Sequence, residues 1–168
     1  MTGALWFPPV ADGFSSNVGV GASTESTVAL SAATSGAMRV LIEGVPEKLP
    51  AGLWGYRADA SHTLLGGALN DVGRAISWLT STLQISPESD LNELLLAHPD
   101  PVTPLVLPFF SGERSTGWAA DARTIFSGVS AATTAAMVFR GTVEGVAISY
   151  ARIADQLHDV AGETRQVG

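Results

Sequence analysis

The chain has 168 residues, of which 46% are hydrophobic and 15% charged, and sixteen acidic against nine basic side chains give a net charge of −7. This composition excludes a disordered chain, and its acidic balance disfavours binding to nucleic acid or to an anionic membrane surface. The absence of cysteine excludes disulfides, cysteine zinc sites and cysteine nucleophiles.

Four short strands are expected in the first half of the chain, after a segment of small residues at 1–22. Each is a short apolar or alternating run, and the runs are separated by a small-residue turn at 32–36 and a proline-bearing loop at 44–52. Short strands at this spacing favour a meander in a mixed sheet. The predicted strands are 27–31, 37–42, 53–58 and 61–65.

Helical periodicity begins after the glycine pair Gly66–Gly67, where apolar residues recur every three or four positions from Val72 to Leu83. A second helix is predicted to start with Ser86 as its N-cap and Pro87 at its first helical position, and to end before Pro101. Its inward-facing residues are expected to be Leu91, Leu94 and Leu95.

The last third of the chain predicts an edge strand or extended loop at 103–110, a loop at 111–122, and a long amphipathic helix at about 130–160. Small residues at the start of this helix would allow close approach of another backbone. The helix is expected to close at Gly162, and only the six residues ETRQVG follow, so we expect no returning strand and interpret the chain as a piece of a larger protein. The apolar face of the helix comprises Phe139, Val143, Val146, Tyr150, Ile153 and Leu157, and the small residues are Ala131, Ala132, Ala135 and Ala136.

Asp12 precedes Gly13, which makes either an ordinary turn or a general base at a helix N-terminus possible. The turn at 31–36 could bind phosphate through its backbone amides and the hydroxyl of Thr34 or Ser35, or it could be a plain hairpin turn. No Walker A lysine is present. The glycine-bearing segment 66–73 could leave room for a flat ligand or an anion, or could be a tight strand-to-helix connection.

Other polar residues give weaker signals. Glu113 and Arg114 form an adjacent acid–base pair in a loop, where such pairs are usually solvated or structural. The three histidines are far apart and lack metal-ligand spacing, so no metal site is predicted from them. The four tryptophans are expected in the core or at its rim. These are Trp6, Trp54, Trp78 and Trp118.

The order of these segments resembles the FGGY family of carbohydrate kinases, especially its gluconokinase-like and xylulokinase-like members. The resemblance covers nearly the whole chain. It is carried by VADGFSSNVGVGA, ATSGAMRV, GGALNDVGRAISWL, PFFSGERSTGW and FRGTVEGVAISY, in that order. It implies an α/β, actin-like (ribonuclease H-like) fold with a mixed sheet and packed helices. It also implies a partial C-terminal kinase domain over 1–168, with a catalytic-aspartate segment at 1–22, a strand meander with the phosphate turn at 23–66, and a mainly helical part at 67–168.

The resemblance also implies roles for individual residues. Asp12 matches the catalytic aspartate that accepts the proton of the attacking sugar hydroxyl. Glu113 and Arg114 match a family loop to which we assign no role, and Ala33 stands where the family has the first glycine of its phosphate turn. The residues that match nucleotide-binding positions are Thr34, Ser35 and Gly36 in the turn, and Gly73 and Ser77 on the helix that carries Trp78.

The function implied is phosphorylation of a sugar or sugar acid, with ATP and Mg²⁺. Without a signal-peptide pattern or an apolar run long enough to span a bilayer, the sequence favours the cytoplasm. An exposed apolar patch and an unpaired sheet edge could allow a homodimer. The family's N-terminal domain, with its magnesium-binding acids and most sugar contacts, is expected in cis, and an adenine-binding segment is expected after residue 168. We therefore expect the chain alone to be inactive. The alternative interpretation is a non-catalytic sugar- or nucleotide-sensing module of the same fold, because a methyl group at Ala33 could obstruct a phosphate.

Overall fold

The computed structural model describes residues 3–5, 9–85, 90–98, 100–161 and 166–167. Within these residues, a five-stranded sheet and a two-stranded sheet are joined by four helices. In chain order the elements are α1 (Asp12–Gly19), β1 (Thr27–Ala32), β2 (Gly36–Glu43), β3 (Trp54–Arg57), β4 (His62–Leu69), α2 (Gly73–Thr82), α3 (Leu91–Leu96), β5 (Leu105–Leu107), β6 (Ile125–Ser127), α4 (Ala135–Ala161) and β7 (Gln166–Val167).

The main core lies between one face of the large sheet and α4. Alternate residues of β2, namely Met38, Val40 and Ile42, are buried there against Ile153 and Leu157 of α4. Because side chains alternate across a strand, Arg39 projects from the opposite face, against which α1 packs. Each fully buried leucine or isoleucine in this core contributes roughly 1.5–3 kcal/mol.

The strand order is β3-β4-β2-β1-β7, which corrects the predicted meander. β4 inserts between β2 and β3 and is antiparallel to both. The burial pattern explains the order. Seven of the eight residues of β4 are buried, so it belongs in the centre, whereas β3 has no buried residue and suits an edge.

A returning strand is also present, contrary to the sequence-based expectation. β7 pairs in parallel with β1, and Gln166 and Val167 lie opposite Thr27 and Val28. The crossover between these two parallel strands includes α4, as parallel pairing requires a long connection.

The predicted helix α2 is confirmed, with Ala75 and Leu79 buried. The glycines that were expected to open it, Gly66 and Gly67, lie instead inside β4. Their lack of side chains makes room for neighbours, because a Cβ at Gly66 would lie 2.7 Å from the ring of Trp54, and one at Gly67 would lie 2.7 Å from Ile153.

Helix α3 differs from its prediction in its start and its packing. Asp90 is the N-cap, and its carboxylate accepts hydrogen bonds from the amides of Asn92 and Glu93. The predicted start at Ser86 and Pro87 lies outside the described residues, as does Trp6. No residue of α3 is fully buried. Leu91 and Leu94 are half-buried but Leu95 is 37% exposed, so the expected inward face is confirmed only in part. The helix is attached mainly at its C-terminal end.

That attachment is made by Arg140 of α4. Its guanidinium donates to the carbonyls of Leu94 (2.7 Å) and Ala97 (2.9 Å) and to Glu144 (2.8 Å). The side chain is only 6% exposed. A single buried cation therefore joins the last turn of α3 to α4.

Helix α4 has the predicted apolar face, although it begins at Ala135. The close backbone approach occurs not at the predicted alanines but at Gly141 and Gly145, where a Cβ would collide with the carbonyls of Pro104 and Val106. Ala131 and Ala132 precede the helix and are exposed. Among the described helices, none combines the length and the hydropathy needed to cross a membrane.

Candidate functional site

Asp12 is the first residue of α1, and its Oδ1 accepts a hydrogen bond from the amide of Gly13 at 2.7 Å. Asp12 is exposed and Gly13 is buried. A Cβ at Gly13 would lie 2.9 Å from the Tyr56 hydroxyl and 3.2 Å from Nε of Arg39. The start of α1 therefore rests directly on these two side chains, and Asp12 stands at a helix N-terminus beside them.

Asp12 lines an open cleft of about 260 Å³ on the face of the sheet opposite α4. The side chains around it come from α1, from β2 and β3, and from the loop after β5. The lining residues are Asp12, Gly13, Arg39, Trp54, Tyr56 and Arg114.

Strand register brings the wall of this cleft together. Trp54, Gly66 and Arg39 are aligned across β3, β4 and β2. Because Gly66 has no side chain, the Trp54 indole lies across it. Trp54 and Tyr56 are stacked, with ring centroids 5.4 Å apart and planes 11° apart. The result is a flat aromatic wall beside a guanidinium group.

The electrostatics of the cleft centre on Arg39. Its Nε is buried and has no hydrogen-bond partner among the described residues. Burial raises the pKa of Tyr56 above its usual 10.0; the positive charge of Arg39 opposes this shift and the negative charge of Asp12 reinforces it. Tyr56 is therefore a neutral phenol at physiological pH, and its hydroxyl can both donate and accept a hydrogen bond.

The turn at 33–35 and the start of α2 form a second group. The carbonyl of Ala33 accepts from the amide of Gly73 (2.8 Å), and that of Thr34 accepts from the amides of Val72 (3.3 Å) and Arg74 (3.1 Å). These helix N-terminal amides are already hydrogen-bonded within the protein. Of the two alternatives for segment 66–73, the structure therefore favours a tight strand-to-helix connection over an open anion site.

The predicted nucleotide-binding residues fall in this second group. Thr34 and Ser35 are exposed, and Gly36 is buried beside Tyr150 and Val72. Ser77 is exposed and lies one turn after Gly73 on the same face of α2. None of these residues lines the Asp12 cleft, but both groups adjoin β2, which begins at Gly36 and carries Arg39.

The loop that brings Arg114 into the cleft is fastened by the β4–α2 connection. Buried Asp71 accepts hydrogen bonds from the amide (2.6 Å) and hydroxyl (2.9 Å) of Ser111, and Asn70 donates to the carbonyls of Ser111 and Gly112, both at 3.1 Å. Ser115 exchanges two further hydrogen bonds of 3.0 Å with the backbone of Ala68.

The side chains of the adjacent residues Glu113 and Arg114 face different parts of the structure. Glu113 faces α4, where its carboxylate lies 3.4 Å from Arg152, and Arg114 faces the cleft. The described residues include no cluster of three acidic, histidine or cysteine side chains able to hold a metal ion.

Sequence reasoning missed Arg39 and Tyr56, the two side chains on which the start of α1 rests at Gly13. Arg39 did leave a signal, because it is the one charged residue within the apolar strand GAMRVLI. A charge in a strand buried on both sides calls for a partner or a ligand. No sequence signal identified Tyr56, because its position in the cleft depends on the pairing of β3 with β4.

Comparison with known proteins supports one family. Residues 28–167 match the profile of the FGGY family of carbohydrate kinases, C-terminal domain. The gluconokinase of Bacillus subtilis (strain 168) is 29% identical over 147 residues, which is 80% of this chain and 29% of that protein.

Solved structures agree. The gluconate kinase of Lactobacillus acidophilus matches 94% of this chain, with a TM-score of 0.77 and 29% sequence identity. The ligand-bound xylulose kinase of the same organism matches 87% of this chain, with a TM-score of 0.76 and 31% sequence identity. The chain spans 33% and 30% of the lengths of those two proteins. The fold is thus the α/β, actin-like fold of these kinases, and the chain belongs to the FGGY family of carbohydrate kinases, within its C-terminal domain.

Proposed function

We propose that the protein that contains this chain transfers a phosphoryl group from ATP to a hydroxyl of a sugar or sugar acid, with Asp12 as the general base. The observation that carries the proposal is the position of Asp12 at the start of α1, in a cleft with Arg39 and Tyr56. Family membership supports the reaction class.

Phosphoryl transfer depends mainly on positioning and charge stabilisation. A sugar hydroxyl is a weak nucleophile, and a carboxylate that accepts its proton accelerates the reaction by about 10²–10⁴-fold. Asp12 would take that proton, while the neutral Tyr56 hydroxyl would hold another sugar oxygen. The stacked Trp54 and Tyr56 rings would face the apolar side of the carbohydrate.

ATP supplies the phosphoryl group, and Mg²⁺ neutralises its charge. We assign the nucleotide-binding region to Thr34, Ser35 and Gly36 of the turn and to Gly73 and Ser77 of α2. The exposed hydroxyls of Thr34, Ser35 and Ser77 suit phosphate oxygens, and Gly36 and Gly73 allow the turn to approach α2. The acids that hold Mg²⁺ and most of the sugar contacts would come from an N-terminal domain in cis.

The proposal extends to organisation and location. The segments 1–22, 23–66 and 67–168 would act as the aspartate segment, the sheet with the phosphate turn, and the mainly helical part of one domain. The protein would work in the cytoplasm. Exposed apolar residues of the β5–β6 sheet, such as Leu105 and Ile125, would favour a homodimer.

The test is sugar-dependent ADP formation by the purified full-length protein, measured with Mg-ATP and a panel of polyols, ketoses and aldonates. We expect turnover with at least one of them, and none from residues 1–168 alone. Absence of turnover with the whole panel would contradict the kinase, and sugar-dependent ADP release by the 168-residue chain would contradict the requirement for a second domain.

The alternative function is a sugar or nucleotide sensor without catalysis. It is favoured by Ala33 at the start of the turn. It is also favoured by the carbonyls of Ala33 and Thr34, which accept hydrogen bonds from the first amides of α2 and so leave those amides unavailable to a phosphate. Calorimetry of the full-length protein separates the two. Sugar binding without Mg-ATP binding or turnover would establish the sensor, and binding of both ligands with turnover would exclude it.

A further inference from the structure

The Asp12 cleft is lined by Arg39 and Arg114, neither of which forms an ion pair among the described residues, in a chain whose net charge is −7. Other arginines are engaged. Arg57 donates to backbone carbonyls, and Arg74, Arg140 and Arg152 lie within 4.0 Å of the carboxylates of Asp71, Glu144 and Glu113.

Arg39 is the more informative of the pair. Its Nε is buried without a hydrogen-bond partner in the described ranges, although guanidinium groups that lose water normally gain an acceptor. Asp12, in the same cleft, is more than 4.0 Å away from it, since no ion pair joins them. The position beside Arg39 therefore suits an external anionic group.

The geometry favours an anion on the acceptor substrate and not on the nucleotide. The residues that we assign to the nucleotide, in the turn at 34–36 and on α2, do not line the cleft. The aromatic wall of Trp54 and Tyr56 does line it, and such a wall suits a carbohydrate. Two arginines facing one cleft match the two oxygens of a carboxylate.

We propose that Arg39 and Arg114 bind the carboxylate of a sugar acid, so that the acceptor is an aldonate and its reacting hydroxyl faces Asp12. This rests on the proposed kinase function. A carboxylate placed against Asp12 would meet a like charge, whereas Arg39 and Arg114 offer it positive charge, so these side chains favour one orientation of the substrate. Arg39, held by β2, fixes the acid, and the exposed Arg114 adds to its binding.

The test compares gluconate with glucitol, which differs only by a primary alcohol in place of the carboxylate. With the full-length protein we expect kcat/KM for gluconate to exceed that for glucitol by at least about 100-fold. Charge-assisted hydrogen bonds of this kind predict a loss of about 100-fold for gluconate in Arg39→Met and about 10-fold in Arg114→Met. Both variants should reduce the preference for gluconate.

Arg123→Met is the matched control, because Arg123 is exposed and outside the cleft. In this variant the ratio of kcat/KM for gluconate to kcat/KM for glucitol should equal that of the wild type. Arg114 is also exposed, so its replacement tests the carboxylate site even if Arg39→Met does not fold. Circular dichroism of each variant identifies folding failures.

The outcomes separate this inference from the kinase itself. Turnover of a neutral polyol or ketose without preference for the acid would overturn the carboxylate site and leave the kinase standing. Equal losses for gluconate and glucitol in both variants, with a raised KM for ATP, would assign the arginines to the nucleotide. If no sugar is phosphorylated, calorimetry decides: gluconate binding that is lost in Arg39→Met and Arg114→Met supports the site, and absence of gluconate binding overturns it.

Discussion

Gly36 lies directly against the hydroxyl of Tyr150, which donates a 2.7 Å hydrogen bond to the carbonyl of Ser31. This contact joins the turn between β1 and β2 to the middle of α4. A methyl group on Gly36 would collide with that hydroxyl and would lie 2.7 Å from Val72. The space under the turn is therefore already filled by the protein itself.

Replacement of Gly36 by alanine should consequently destabilise the chain. We expect Gly36→Ala to lower the free energy of unfolding by about 1–3 kcal/mol, the usual cost of overpacking a filled site. Gly19→Ala is the matched control, because a Cβ there meets nothing within 4 Å. It should be neutral or stabilising by up to about 1 kcal/mol. Urea denaturation measures both, and equal stabilities would contradict the tight contact.

Tyr150 also predicts a dependence of stability on alkaline pH. Burial raises the pKa of Tyr150 from 10.0 to about 12, against the opposing charge of Arg39. Above pH 10 the unfolded chain loses this proton while the folded chain retains it, so the stability that the raised pKa contributes is present below pH 10 and declines towards pH 12.

Tyr150→Phe removes both the hydrogen bond and this titration. At pH 7 the variant should be less stable than the wild type by about 0.5–1.5 kcal/mol. The difference should shrink or reverse between pH 10 and pH 12, as measured by urea denaturation at each pH. A difference that stays constant over this window would contradict the buried, protonated phenol.

Replacement of the buried Arg140 should cause a large loss of stability and a local opening of α3. Arg140→Met leaves the carbonyls of Leu94 and Ala97 without their donors and should cost about 3 kcal/mol, with faster amide exchange in α3. Arg152→Met, at a side chain that is 53% exposed, should cost less than about 1 kcal/mol. Similar losses in the two variants, or unchanged exchange in α3, would contradict this attachment.

Sequence periodicity was sufficient for the elements that carry a regular apolar pattern. The face of α4 from Phe139 to Leu157 and the strands β1 and β2 follow directly from it. The lateral order of strands did not follow, because alternation reports burial and not which neighbour a strand pairs with. Thus β3 was expected between β2 and β4, whereas the more buried β4 occupies that place.

The same limit applies to the candidate site. Asp12 and the turn at 34–36 were predicted from short segments and from family resemblance, and their roles remain predictions. Arg39 and Tyr56 were not found, because they reach Asp12 only through the alignment of Trp54, Gly66 and Arg39 across three strands. Residues far apart in sequence meet there through register alone.

The most direct test of the account is the turnover of the full-length protein with Asp12→Asn, compared with Asp155→Asn at an exposed position on α4. We predict that Asp12→Asn lowers kcat for sugar phosphorylation by about 10²–10⁴-fold with a small change in sugar KM, because the amide cannot accept the proton of the hydroxyl. Asp155→Asn should retain wild-type kcat. A kcat near wild type in Asp12→Asn would contradict the assignment of Asp12 as the base.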